Sequence, residues 1–97
     1  MQVPPPVPGP TQITVVESEG CHYCADAADA LAGLATAFPL RVRTVDALSG
    51  TGRELMSRHR AAMSPLVLLD DAYFSSGRLP RRKLEKTLAA RYGQRHG

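Results

Sequence analysis

Cys21 and Cys24 stand three residues apart, and the 97-residue chain has no other cysteine. They follow a short β-branched run, Thr11 to Glu17, and open an alanine-rich stretch that reaches toward Pro39. A strand that hands its chain to a helix through two thiols limits both the fold and the chemistry. A crosslink across so short a loop removes little entropy from the unfolded chain, so a purely structural staple is excluded.

The pattern on either side fixes the elements. "TQITVVE" (11–17) has strand composition. From Cys21 to Ala37, Ala28, Leu31, Leu34 and Ala35 repeat at helical spacing and stop before Pro39. "LRVRTVDA" (40–47) alternates with period two, as a strand with one wet face does. Thr51 and Glu54 form a capping-box pattern that opens a second helix ending near Ala62. "PLVLL" (65–69) is continuously apolar and reads as a strand buried on both faces. Asp70-Asp71 turns the chain, and "AYFSS" (72–76) pairs back as a hairpin. Pro80 suits the first turn of a last helix, on which Leu84, Leu88 and Tyr92 form an apolar stripe. The order is β-α-β-α-β-β-α, an α/β chain whose first half reads as a parallel βαβ unit.

Size and charge set outer bounds. A chain of this length makes one domain and buries enough surface for a core without staples. Five prolines in the first ten residues predict a flexible, extended tail over 1–11, ahead of a domain over 12–97. That start has neither a basic opening nor an apolar core segment, so it does not resemble a signal peptide, and cytoplasm is the expected location. No apolar run approaches the roughly 20 residues of a membrane helix. The net charge of +3 is concentrated late, where Arg78, Arg81, Arg82, Lys83, Lys86, Arg91 and Arg95 face a single acid, Glu85. Only Tyr92, assigned to the apolar stripe, falls among them, too little aromatic surface for a nucleic-acid platform, so a solvated helix face is the expected reading.

At the start of a helix, unpaired N–H groups and the positive end of the dipole stabilise an anion. A thiolate there becomes nucleophilic near neutral pH. Cys21 is predicted at the exposed tip, with Cys24 one turn further in. Their separation of about 5–6 Å in a helical turn suits a disulfide that opens and closes with little backbone movement. Zinc is the rival, since C-x-x-C supplies half of a tetrahedral site. The histidines, His22, His59 and His96, are dispersed, so a zinc site would pool cysteines from two chains. His59 falls with Leu55, Met56 and Met63 and reads as a partly buried core residue. Asp26 and Asp29 read as solvated.

A strand, C-x-x-C at a helix start, a βαβ unit, Pro65 opening the third strand, a hairpin and a last helix resemble the thioredoxin superfamily over residues 12–92. The resemblance implies a central mixed four-stranded sheet flanked by helices. The small size and the tyrosine of Cys21-His22-Tyr23-Cys24 resemble glutaredoxins, whose usual motif is C-P-Y-C. It implies a thiol-disulfide oxidoreductase acting on protein disulfides or on mixed disulfides with a low-molecular-weight thiol. Cys21 would be the nucleophile and Cys24 the resolving thiol. Pro65 would be cis beside the disulfide, and Ser64 would offer backbone hydrogen bonds to substrate. His22 and Tyr23 would contact substrate, and Arg78 with Arg81 would receive an acidic group.

Implied partners are disulfide-containing proteins and an upstream reductase or thiol, with the chain a monomer and no membrane partner. No tightly bound cofactor is implied beyond the redox-active disulfide, with a low-molecular-weight thiol as co-substrate. The chain also departs from these relatives. Glu17-Ser18-Glu19-Gly20 stands where glutaredoxins carry a lysine, Met63-Ser64-Pro65 replaces their Thr-Val-Pro, and Val15 replaces the buried aspartate of thioredoxins. The alternative is a non-enzymatic binding module on the same scaffold, its cysteines redox-sensing or zinc-bridging.

Overall fold

The computed structural model describes residues 9–93. Four strands and three helices follow in the order β1 (Thr11–Glu17), α1 (His22–Leu34), β2 (Leu40–Asp46), α2 (Gly50–Arg58), β3 (Leu66–Leu69), β4 (Ala72–Ser76) and α3 (Arg81–Tyr92). Most of the proline-rich segment lies outside the described residues. Thr11, counted with that segment by sequence, is the first residue of β1 and is fully buried.

The strands form one mixed sheet in the order β2-β1-β3-β4. β1 runs parallel to β2 and antiparallel to β3, and β3 pairs antiparallel with β4. Alternation along β1 divides the interior into two cores. Ile13 and Val15 pack with Ala27 and Leu31 of α1 and with Leu84 and Leu88 of α3. Val16 points the other way, joining Val45, Leu66 and Leu68 beneath Leu55 and Met56 of α2. The sheet therefore lies between α1 with α3 on one face and α2 on the other. β3, covered on both faces, carries the continuous apolar run that such burial demands.

Several details differ from the sequence reading. α1 ends at Leu34, three residues early, and the chain turns through Thr36, whose hydroxyl donates to Gly33 O at 2.7 Å. Its buried stripe is Cys24, Ala27, Ala30 and Leu31, while Ala28 and Ala35 are exposed. In an alanine-rich helix the weak apolar period cannot set the phase; the larger Cys24 and Leu31 side chains do.

α2 is capped by Ser49 rather than Thr51: Ser49 Oγ accepts from Gly52 N at 3.0 Å and donates to Asp46 O at 2.7 Å. It stops at Arg58, short of Ala62, because Arg60 takes the left-handed conformation with φ 51°. Pro80 is the N-cap of α3 and not its first helical residue.

β2 does not keep one dry face, since Arg41, Val42, Arg43 and Thr44 are all exposed and only Val45 is buried. As an edge strand it has one sheet neighbour, and the nine-residue α2 is too short to cover its length. The hairpin turn forms as expected, with Asp70 and Asp71 both at positive φ.

Candidate active site

Three chain crossings meet at one end of the sheet. Val16 pairs with Leu66 and Leu66 pairs with Ser76, so the end of β1, the start of β3 and the end of β4 lie side by side. The loop into α1, the approach to β3 and the exit from β4 must therefore converge. Cys21 stands in the first of these, Ser64 and Pro65 in the second, and Gly77 in the third.

Cys21 is the N-cap of α1, with extended backbone angles (φ −88°, ψ 115°). Its Sγ accepts from the Cys24 backbone N–H at 3.1 Å. One free donor of the helix start is thus directed at sulfur, the arrangement that favours a thiolate once the bond is reduced. Cys24 is 6% exposed, whereas Cys21 is only half-buried. The two are joined as a disulfide with Cα atoms 5.1 Å apart, within the usual range. Cys21 is therefore the more accessible of the two. The first turn of α1 carries no acidic residue to oppose the anion.

The second crossing closes over the first. The Ser64–Pro65 peptide bond is cis, and the Ser64 carbonyl oxygen lies 3.7 Å from Cys21 Sγ. Ser18 and Ser64 share a hydroxyl–hydroxyl hydrogen bond of 2.7 Å. On the opposite side Gly77 N donates to Pro65 O at 3.1 Å, with Gly77 at φ 84° and Met63 lying over it. Neither Ser18 nor Gly77 was singled out from sequence. Gly77 leaves a readable trace, since a glycine directly after a strand marks a backbone turn that other residues resist. Ser18 leaves none, because its partner is 46 residues away.

Among the residues expected at the site, Cys21, Cys24, Ser64 and Pro65 are brought together. His22 and Tyr23 are exposed beside them, Tyr23 at 42%. Arg78 is exposed and follows Gly77 directly. Arg81, expected to receive an acidic group, is ion-paired at the surface with Asp26 of this chain. The spacing on α1 could not show this, since the partner comes from α3. His59 is half-buried at the end of α2 with its ring 6.3 Å from Tyr73, while Met63 is 52% exposed and not part of that face. Among the described residues no group of three or more His, Cys, Asp or Glu side chains could hold a metal ion.

No protein-family model and no curated protein matches the sequence. Solved structures do match the fold. An uncharacterised thioredoxin-like protein from Clostridium perfringens superposes with a TM-score of 0.68 at 13% identity, over 91% of this chain and 79% of that one. A mutant thioredoxin from Halobacterium salinarum gives 0.61 at 13% identity, over 91% and 80%. Thioredoxin from Fasciola hepatica gives 0.59 at 19% identity, over 86% and 82%. With its mixed sheet, its helices on both faces and a Cys-x-x-Cys disulfide where the first strand meets the first helix, the chain has the fold of the thioredoxin superfamily.

Proposed function

We propose that the chain is a thiol-disulfide oxidoreductase that reduces protein disulfides or mixed disulfides of a low-molecular-weight thiol. One observation carries the reading. A half-buried cysteine caps a helix, receives a helix N–H on its sulfur, and is bonded to a buried cysteine one turn on. In the reduced protein, Cys21 as thiolate attacks one sulfur of a substrate disulfide. A Cys21–substrate bond forms, and the other substrate sulfur leaves as a thiolate. Cys24, deprotonated, then attacks Cys21 Sγ, which releases the second substrate thiol and restores the Cys21–Cys24 bond. Two electrons pass to the substrate, and an upstream reductase or thiol returns them.

Ser64 and Pro65 offer the backbone against which a substrate chain lies, with His22, Tyr23 and Arg78 at its margin. The catalytic domain is the expected 12–97 extended to Thr11, the first residue of β1, behind a proline-rich tail, and it works as a cytoplasmic monomer. No helix among the described residues is long and apolar enough to cross a membrane.

Thiol trapping across redox buffers tests the reading. A reversible two-electron transition at about −270 mV is expected of a reductant, and one between about −120 and −180 mV marks a disulfide donor or isomerase. Zinc in the purified protein with no disulfide formed would replace the enzyme with a binding module. Cys21→Ser should bring insulin reduction down to background. Cys24→Ser should accumulate mixed disulfides with protein substrates and slow their release by about tenfold or more, because no internal thiol displaces them.

A further inference from the structure

Two groups compete at Cys21 Sγ. The Cys24 N–H at 3.1 Å favours the anion, whereas the Ser64 carbonyl at 3.7 Å turns the negative end of its dipole toward sulfur and favours the neutral S–H. The balance depends on how firmly that carbonyl is held. Pro65, next in the chain, is held by Gly77 through backbone alone. Ser64 itself is held by a side chain, the 2.7 Å bond between its hydroxyl and that of Ser18. Both serines are half-buried, so water competes for this bond less than it would at the surface.

Resting on the oxidoreductase reading, we infer that Ser18 is a positioning residue that sets the reactivity of Cys21: its hydroxyl fixes Ser64 so that the Ser64 carbonyl opposes the helix N–H at the sulfur. The Ser18 hydroxyl bonds to Ser64 and makes no hydrogen bond to either cysteine. It acts by holding back thiolate formation, which keeps the reduced pair less stabilised and the disulfide harder to reduce. Releasing the bond lets the Ser64 carbonyl withdraw, leaving the helix start unopposed. The thiolate is then favoured at lower pH, and the pair becomes a stronger oxidant, since stabilising the reduced form raises the potential.

The test is the pH profile of iodoacetamide alkylation of Cys21 in the reduced full-length protein, for wild type, Ser18→Ala, Ser18→Thr, Ser64→Ala and the double alanine variant. With Ser18→Ala the profile should move to lower pH, and alkylation near pH 6 should rise about three- to tenfold. Ser18→Thr, which keeps a hydroxyl, should return toward wild type. Ser64→Ala should match Ser18→Ala, and the double variant should add nothing further, as expected when two residues act through one bond.

An unchanged profile in Ser18→Ala, or effects of the two serines that multiply, would overturn the assignment and leave the bond a purely structural tie. Should Ser18→Ala fail to fold, Ser64→Ala breaks the same bond from the other side and decides alone. A wild-type protein that alkylates normally but reduces no insulin disulfide would sink the oxidoreductase reading and leave the role of Ser18 to be judged from the profiles.

Discussion

An alanine at Gly52 would set its Cβ against the Asp46 carbonyl and the Ala47 backbone, where no flexible side chain can give way. Gly52 also supplies the N–H that Ser49 caps, so the turn cannot move aside without losing that bond. Gly52→Ala should cost about 2–4 kcal/mol, read as a lower urea midpoint with an unchanged slope. Ser49→Ala, which loses only the cap, should cost about 1 kcal/mol.

Asp70 gives a pH-dependent counterpart. The Gln12 backbone N–H at 3.0 Å is the main cause that holds its carboxyl below the ordinary value of 3.8; desolvation opposes it, and the Arg91 guanidinium adds lesser lowering effects. A carboxylate whose folded value is depressed stabilises fully above its unfolded value, and that stability fades as pH falls through the folded one. Thermal melts of wild type should therefore drop below about pH 4 more steeply than those of Asp70→Asn. Asparagine tolerates the left-handed conformation that Asp70 occupies at φ 48°, so the substitution isolates the charge. The pair is exposed, and the difference should be small.

The seven elements differed in how plainly the sequence announced them. β1 and β3 were unmistakable because their side chains face cores on both sides, and burial leaves a run of branched and apolar residues that nothing else explains. The Asp70-Asp71 turn was readable because few residue pairs accept two positive φ values in succession. The helices were legible as helices but not in their limits. The cap of α2 depended on which of two hydroxyls, Ser49 or Thr51, met a free N–H, and the Asp46 carbonyl decided it. β2 misled for a different reason, since alternation in sequence does not say whether anything arrives to cover the apolar face. α3 is held chiefly by Leu84 and Leu88, both fully buried, and its exposed Arg82 and Lys86 add charge without support. Leu84→Ala should cost about 2–5 kcal/mol in denaturant unfolding, whereas Arg82→Ala should stay within about 0.5 kcal/mol of wild type.

The sheet order brings residues 18, 21, 64 and 77 to one end, and only the second and third of the crossings there give that end its walls. Cys21 and Cys24 were legible because their chemistry and their place at a helix start are local facts. Pro65 was legible through the order of elements, which the resemblance to thioredoxins organised. Ser18 and the Arg81–Asp26 pair were not, because each joins distant segments and neither residue type is unusual where it stands.

The opposite end of the molecule has its own closure. Tyr92 donates to Gly9 O at 2.7 Å and meets the Thr11 hydroxyl, which Arg91 also reaches. The first and last turns of the described fold are thus fastened together a full strand, about 20 Å, from the disulfide. A short peptide bridge between Gly9 and Gly93 would make a covalent ring with little disturbance, and new ends could then be cut into an exposed loop. Equally, a fold leashed to a bead at Gly9 or Gly93 would hold its disulfide outward, presented to whatever the surrounding solution carries.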